Sequence, residues 1–290
     1  METIQLKKVE GVAAGGTATI ELPIGNSYHQ VLLNYAGVTL AQMTEIRVMA
    51  DGNPVQRLGS GTQLDEMNQQ DGRAAAAGTL TIDFERYGLR KKANQRLTVI
   101  GTGLPRASAA KAQAANLAAA KQGLPAVYDA DPIQYLSLEI DIDGAAAAPA
   151  FASPKAQVSA PRPQGVLKRV EQFTYSPAGA GEFEISDLPR HGLINRIFFN
   201  ASNINELRIE TDRVTRFKRT MAENSLILGD GQAGRVVDAN YFTVDFSEDG
   251  YGDEMMNVSR GKVNDLRFVL DMAGAATIPV IVEYIAPRAK

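Results

Sequence analysis

The sequence has no cysteine and no tryptophan, and only two histidines, His29 and His191. Without cysteine there are neither disulfides nor thiolate metal sites, an absence compatible with any compartment. With no tryptophan and so few imidazoles, the chain is short of the side chains that usually perform acid–base chemistry, bind metal or stack on glycans. That counts against an enzyme or a lectin. An excess of charge is lacking too. The 30 Lys and Arg against 33 Asp and Glu leave a net charge of −3, which gives the protein as a whole no electrostatic reason to bind nucleic acid or an anionic membrane. No run of about 18 apolar residues occurs, and Met1-Glu2-Thr3-Ile4-Gln5-Leu6-Lys7-Lys8 lacks the apolar stretch of a signal peptide. The expectation is a soluble chain made in the cytosol.

What is present is a repeat. Leu22-Pro23 returns as Leu188-Pro189, and Val31-Leu32-Leu33-Asn34 returns at the identical spacing as Ile197-Phe198-Phe199-Asn200. Glu45-Ile46-Arg47-Val48 comes back as Glu206-Leu207-Arg208-Ile209, and Leu80-Thr81-Ile82-Asp83-Phe84 as Phe242-Thr243-Val244-Asp245-Phe246, both at a slightly shorter spacing that a small gap absorbs. Four blocks recurring in order point to one β unit used twice. Two domains also suit 290 residues, a length that can bury roughly three quarters of its unfolded surface.

Alternating runs bounded by Gly, Pro, Asn and Asp read as strands. In the first half they fall near 3–9, 17–22, 29–35, 44–50, 54–58, 79–85, 96–101 and 135–143. In the second they fall near 166–174, 182–187, 193–200, 205–211, 214–218, 241–246, 264–271 and 278–285. Eight strands per half is the jelly-roll number, so the fold class expected is all-β, two tandem eight-stranded jelly-roll sandwiches with short helices in loops. Capping patterns Thr62-x-x-Asp65 and Thr220-x-x-Glu223 open a short helix after the fifth strand of each half. The first jelly roll is expected over 1–144, an Ala/Pro-rich linker over 145–164 and the second jelly roll over 165–290. The first half carries an insertion at 102–134, where the second closes its last two strands by a short turn near 273–277. Its Ala-rich middle, Ser108 to Gln122, reads as a helix ending at Gly123, with Leu117 its only large apolar residue.

Few residues invite a chemical reading. Gly229-Asp230-Gly231-Gln232-Ala233-Gly234 fits the dinucleotide fingerprint as a string, but it precedes a strand instead of opening a helix after one, so it reads as a loop. Asp129, Asp131, Glu139, Asp141 and Asp143 could serve a glycosidase or a metal. On a strand, however, Glu139, Asp141 and Asp143 share one face, the pattern of a solvated sheet side. The loop Ser247-Glu248-Asp249-Gly250-Tyr251-Gly252-Asp253-Glu254 packs four acids between glycines and offers hard oxygen ligands for calcium, without the EF-hand spacing. His29 and His191 stand in different copies with no ligand cluster nearby in sequence, and no nucleophile–base pair can be argued. No catalytic and no cofactor-binding residue is assigned, and no cofactor is required. The basic clusters Arg86 to Lys92 and Arg213 to Arg219 have acidic neighbours and read as solvated strand ends or contacts with the acids of another subunit.

The segments Glu21-Leu22-Pro23-Ile24-Gly25, Tyr35-Ala36-Gly37-Val38-Thr39, Ile140-Asp141-Ile142-Asp143-Gly144, Ser186-Asp187-Leu188-Pro189-Arg190 and Ile281-Val282-Glu283-Tyr284 span the chain in order. Through them the chain resembles the double jelly-roll major capsid proteins of the corticovirus type, from icosahedral phages with an internal membrane. The resemblance implies a structural protein of the virion, made in the host cytoplasm, and not an enzyme. It also implies a homotrimeric, pseudo-hexameric capsomer that contacts neighbouring capsomers, vertex and membrane proteins and the internal lipid membrane, with no specific nucleic acid. The chain departs from the pattern mainly in its longer insertion at 102–134. Two rivals stand beside it: a glycan-acting hydrolase of the amidase type, in which a double jelly-roll architecture also occurs and which should gather acids and aromatics in a cleft, and a carbohydrate-binding pair, which the lack of tryptophan disfavours.

Overall fold

The computed structural model describes residues 1–103, 106–122, 132–230, 235–259 and 261–288. It is mostly β with a few short helices. Two compact units emerge, one of Met1–Tyr87, Lys91–Val170 and Ala286–Lys290, the other of Gly88–Arg90 and Glu171–Ile285.

The first unit runs β1 (Glu2–Gln5), β2 (Thr17–Glu21), β3 (Ser27–Ala36), β4 (Met43–Ala50), β5 (Asn53–Leu58), α1 (Gly61–Gln70) and β6 (Thr79–Asp83). It continues through α2 (Lys92–Gln95), β7 (Ile100–Gly101), α3 (Arg106–Lys121), β8 (Leu136–Ile142), β9 (Ala150–Phe151) and β10 (Lys155–Ser159), ending in the opening of β11 (Leu167–Tyr175). One antiparallel sheet has the order β1-β10-β3-β6 and the other β2-β8-β4-β5.

After β11 the second unit holds β12 (Gly181–Ile185), β13 (Leu193–Asn200), β14 (Ile204–Thr211), β15 (Val214–Thr220), α4 (Met221–Leu228), β16 (Tyr241–Asp245), β17 (Met256–Asn257), β18 (Leu266–Met272) and β19 (Ile278–Ala286). Here β13 lies between β16 and β19, and the second sheet runs β12-β18-β14-β15. These pairings reproduce the first unit strand for strand, β13 standing for β3, β14 for β4 and β18 for β8.

Even irregularities recur. Both β4 and β14 carry a bulge one residue in, at Thr44 and Asn205, where the register against β8 and β18 shifts. The extra residue turns the remainder of each strand, so that Ile46, Val48 and Ala50 in one copy, and Leu207, Ile209 and Thr211 in the other, all face inward.

Three expectations need correction. First, the seventh strand is not 96–101: Arg96–Thr98 is a 3-10 turn, only Ile100–Gly101 pairs with β3, and Leu136–Ile142 occupies the seventh place. Second, the stretch 145–164 is not merely a linker, and the first unit does not end at 144. It contains β9 and β10, and β10 completes the sheet between β1 and β3 with Ala156 and Val158 buried. Its prolines, Pro154 and Pro161, bound the strand without interrupting it, and two small inward residues give a weak alternation signal. Third, the insertion at 102–134 interrupts the connection from β6 to β8, whose counterpart runs from β16 to β18. The turn near 273–277 corresponds instead to the connection from β8 to β10.

The helix at 106–121 forms where the Ala-rich run suggests, with Leu117 exposed and Ala119 buried. Its proposed stop at Gly123 lies outside the described residues, as do Asp129 and Asp131. Thr220 caps α4 through a full capping box with Glu223, whereas α1 is capped by Ser60, two positions before Thr62.

Candidate functional site

Several of the polar groups that the fold buries act as structural locks that recur in both units. In the first unit the Arg73 guanidinium grips both oxygens of Asp83 at 2.8 Å, donates to Gln30 at 2.9 Å and lies 3.7 Å from the centre of the Tyr87 ring. In the second unit Arg235 Nε donates to Asp245 at 2.7 Å, while the other Asp245 oxygen accepts from the Ser247 amide and hydroxyl. Arg235 follows Arg73 at the same spacing in the sequence as Asp245 follows Asp83. A charge-assisted pair with its remaining lone pairs occupied is what makes a buried ion pair tolerable.

Other locks follow suit. Tyr28 donates its hydroxyl to the Pro23 carbonyl at 2.6 Å and Tyr284 to the Pro189 carbonyl at 2.7 Å, so each Leu-Pro block is pinned by a buried tyrosine. Burial pushes the Tyr28 phenol up to about 12. Asn68 of α1 donates to the Thr81 carbonyl and Asn224 of α4 to the Thr243 carbonyl, docking each helix on the matching strand. Asp51 and Asp212 both sit at φ 50°, in the β4–β5 and β14–β15 hairpins. Each accepts two backbone N–H groups on one carboxylate oxygen, from Gln134 and Tyr135 and from Asn264 and Asp265. A short polar side chain tolerates this left-handed conformation.

One constellation escaped the sequence. His29 in β3 is buried, with Nδ1 on Glu85 and Nε2 2.8 Å from the Ser159 hydroxyl of β10. Serine, imidazole and carboxylate in a line have the order of a nucleophile relay. The three come from positions 29, 85 and 159 and meet only because β10 pairs with β3, so no local motif could announce them. Glu85 also has Arg96 3.6 Å away. The line ties β3, β10 and the segment after β6 together. His191 lies 3.4 Å from Glu171 and edge-on to the Tyr284 ring.

The residues singled out in the sequence are mostly occupied by partners. Glu139 and Asp141 project from β8 toward Arg47 of β4, at 3.3 Å and, bidentately, 2.7 and 3.0 Å. Arg47 also reaches Glu45 at 2.5 Å, and Glu45 is bonded to Arg57. Burial raises the Asp141 carboxyl, but hydrogen bonds from Arg47 and Thr17 outweigh it and hold the group below the usual carboxylate range. Asp143 accepts from the Ala145 amide at the turn after β8.

In the acidic loop Glu248 forms a two-oxygen pair with Arg219 at 2.7 and 2.8 Å, Ser247 is buried on Asp245, and Asp249 accepts from the Tyr251 and Gly252 amides. Asp253 and Glu254 are exposed. Among the described residues no three acids or histidines converge as a metal cage. Arg86 is buried, and Arg90 donates its amide to the Gly250 carbonyl and faces the Tyr251 ring. In the second basic cluster Lys218 pairs with Glu206 at 3.4 Å and Arg216 donates to Thr211. Of the glycine string, Gly229 ends α4, and residues 231–234 lie outside those described.

A cavity of about 300 Å³ opens beside Arg73, Asn68 and Tyr87, and another of about 250 Å³ beside Lys7, Glu21 and Tyr135. Neither contains the His29 line. Apolar side chains do reach solvent in the second unit: Leu226 is 75% exposed, and Val214, Val236 and Val237 are exposed as well.

Comparison with known proteins agrees. The model of the viral coat protein P2 N-terminal domain matches residues 3–159, and that of the viral coat protein P2 C-terminal domain matches residues 167–288. Major capsid protein P2 of Pseudoalteromonas phage PM2 is 27% identical over 292 residues, covering 97% of this chain and 96% of that protein. The crystal structure of the major capsid protein P2 from bacteriophage PM2 superposes with a TM-score of 0.84 at 25% identity, covering 100% of this chain and 98% of the other. The Sulfolobus Turreted Icosahedral Virus structure has a TM-score of 0.64 at 13% identity over 99% and 91% of the two chains. For the PBCV-1 virus capsid the values are 0.59 and 8% over 97% and 92%. These two share the fold alone. The two domain models cover almost the whole chain in sequence order, and the likeness to a major capsid protein runs over nearly the full length of both chains: the chain belongs to the viral coat protein P2 family and is a structural major capsid protein of the virion, not an enzyme.

Proposed function

We propose that three copies of this chain form one tile of the shell of an icosahedral phage with an internal membrane, each copy contributing two eight-stranded jelly rolls. The first roll comprises β1 to β6, β8 and β10, the second β11 to β16, β18 and β19. The observation that carries this reading is the repetition of strand neighbours and polar locks between the two copies. Three chains, each with two near-equivalent domains, present six similar edges, and a ring that closes leaves no end free to polymerise. The engaged carboxylates of β8 offer nothing to the rival glycan hydrolase.

In this reading the insertion at 102–134 serves the tile, either over a neighbouring subunit or as an outer tower. A helix whose only large apolar residue faces outward gains little from its own domain. Replacing residues 105–127 with a short Gly/Ser linker should leave the monomer folded and lower the melting temperature of the assembly. Mass measurement under native conditions tests the whole reading: a trimer supports it, and a monomer at micromolar concentration overturns it.

A further inference from the structure

The two copies differ in one respect that their shared topology makes conspicuous. The outer edge of β5 in the first unit is met at one position, where Val170 of β11 lies in parallel opposite Gln56 and the buried Gln56 side chain donates to the Lys168 carbonyl at 3.2 Å. The strand equivalent to β5 is β15, which ends its sheet. Among the described residues no strand lies beyond it, and Val214, Thr215, Arg216 and Lys218 are exposed. An open edge of this length is a template for another strand.

The cover of β5 comes from the first strand of the second copy, and the equivalent of that strand is β1. It too is an edge. It pairs with β10 on one side and with no described strand on the other, with Glu2, Thr3 and Gln5 exposed and Ile4 half-buried. Carried through the repeat, Gln56 corresponds to Phe217 by the spacing that relates Glu45 to Glu206, and Val170 to Ile4 by the spacing that relates Leu188 to Leu22. Both apolar counterparts face inward in part, Phe217 onto the core of its own unit. The register also places Glu2 next to the basic run Arg213 to Arg219.

We propose that the open edge of β15 in one copy pairs in parallel with β1 of a second copy, Ile4 opposite Phe217, so that each tile repeats between chains the contact that β11 makes with β5. This rests on the three-chain reading above. The occupant is a second copy of this chain, because within the chain the equivalent strand already bridges the equivalent edge at Val170 and Gln56, and because an acidic residue meets a basic strand.

Engineered cysteines test it cleanly, since the chain has none of its own. Neighbouring strands lie about 4.8 Å apart, within disulfide reach, whereas a register error of four residues adds about 13 Å. Thr3→Cys with Arg216→Cys, and separately Glu2→Cys with Thr215→Cys, should give chains linked into dimers and closed trimers on oxidation. Thr3→Cys with Thr220→Cys should give none. Native mass is recorded on every variant. A trimer that never crosslinks at the first two pairs, or one that crosslinks equally at the third, overturns the β1–β15 pairing and leaves the three-chain tile standing. A monomer for the unmodified chain overturns both.

Discussion

The pair Arg235–Asp245 gives the sharpest quantitative test, because both side chains are almost fully inaccessible, 5% and 1% exposed. Asp245→Ala removes the carboxylate from a nearly buried guanidinium that keeps a hydrogen bond to the Ser247 hydroxyl at 3.2 Å, and losing the charged partner of a buried ion costs about 3–5 kcal/mol. In a unit of roughly 115 residues each kcal/mol moves the melting point by about 3–5 °C, so scanning calorimetry should show a fall of roughly 9–25 °C. Replacing both partners, Arg235→Met with Asp245→Leu, removes the two desolvation costs together and should return stability to within about 1 kcal/mol of the parent, or above it. The equivalent Asp83→Ala should cost less, because Arg73 is 19% exposed and keeps Gln30 and the Tyr87 ring. If Asp245→Ala loses under about 1 kcal/mol, or the double variant loses as much as the single one, the pair is not the lock described here.

Three further outcomes are expected. Asp51→Ala and Asp212→Ala should each lose about 1–2 kcal/mol in urea unfolding, and the Asn variants less, since Asn keeps an acceptor and tolerates the left-handed backbone; equal losses for Ala and Asn would contradict this. The Thr220 backbone N–H and hydroxyl hold Glu223 below the usual carboxylate range, so its contribution is present above about pH 4.3 and is lost as pH falls through its lowered folded value. Glu223→Gln should therefore flatten the acid limb of the stability profile, and an unchanged limb would rule the group out. Melting with calcium and with chelator should coincide, because Glu248 is held by Arg219; a rise with calcium would revive the acidic loop at 247–254 as a site.

The second copy was far more legible in the sequence than the first, for a physical reason. Strands such as β13 and β19, dense in Ile, Val and Phe, announce themselves, and all eight second-half strands fall where alternation places them. In the first copy β10 offers only Ala156 and Val158 as inward residues, amid prolines, and its place depends on pairing with β1 at the opposite end of that copy's sequence. The same separation hid the meeting of His29, Glu85 and Ser159. The paired arginines were within reach: Asp83 and Asp245 stand in repeated blocks, and Arg73 and Arg235 share their spacing, but identical spacing says nothing about burial until the sheets are assembled.

The position of β10 also bears on how the chain emerges from the ribosome. β3 needs two neighbours; β6 is complete at Asp83, but β10 starts only at Lys155, whereas β13 waits merely from Asp245, the end of β16, to Ile278, the start of β19. At about 5–20 residues per second the first copy stands open at that edge for roughly 4–14 s, and the second for roughly 2–7 s. The insertion supplies most of the difference. During that interval β3 presents Val31 and Leu33 beside an unpaired backbone, a surface on which nascent chains join one another. The hairpin β4–β5, whose partners are close neighbours in sequence, can form at once. Aggregation during expression should therefore arise from the amino-terminal copy, and shortening the insertion should relieve it by closing the sheet sooner.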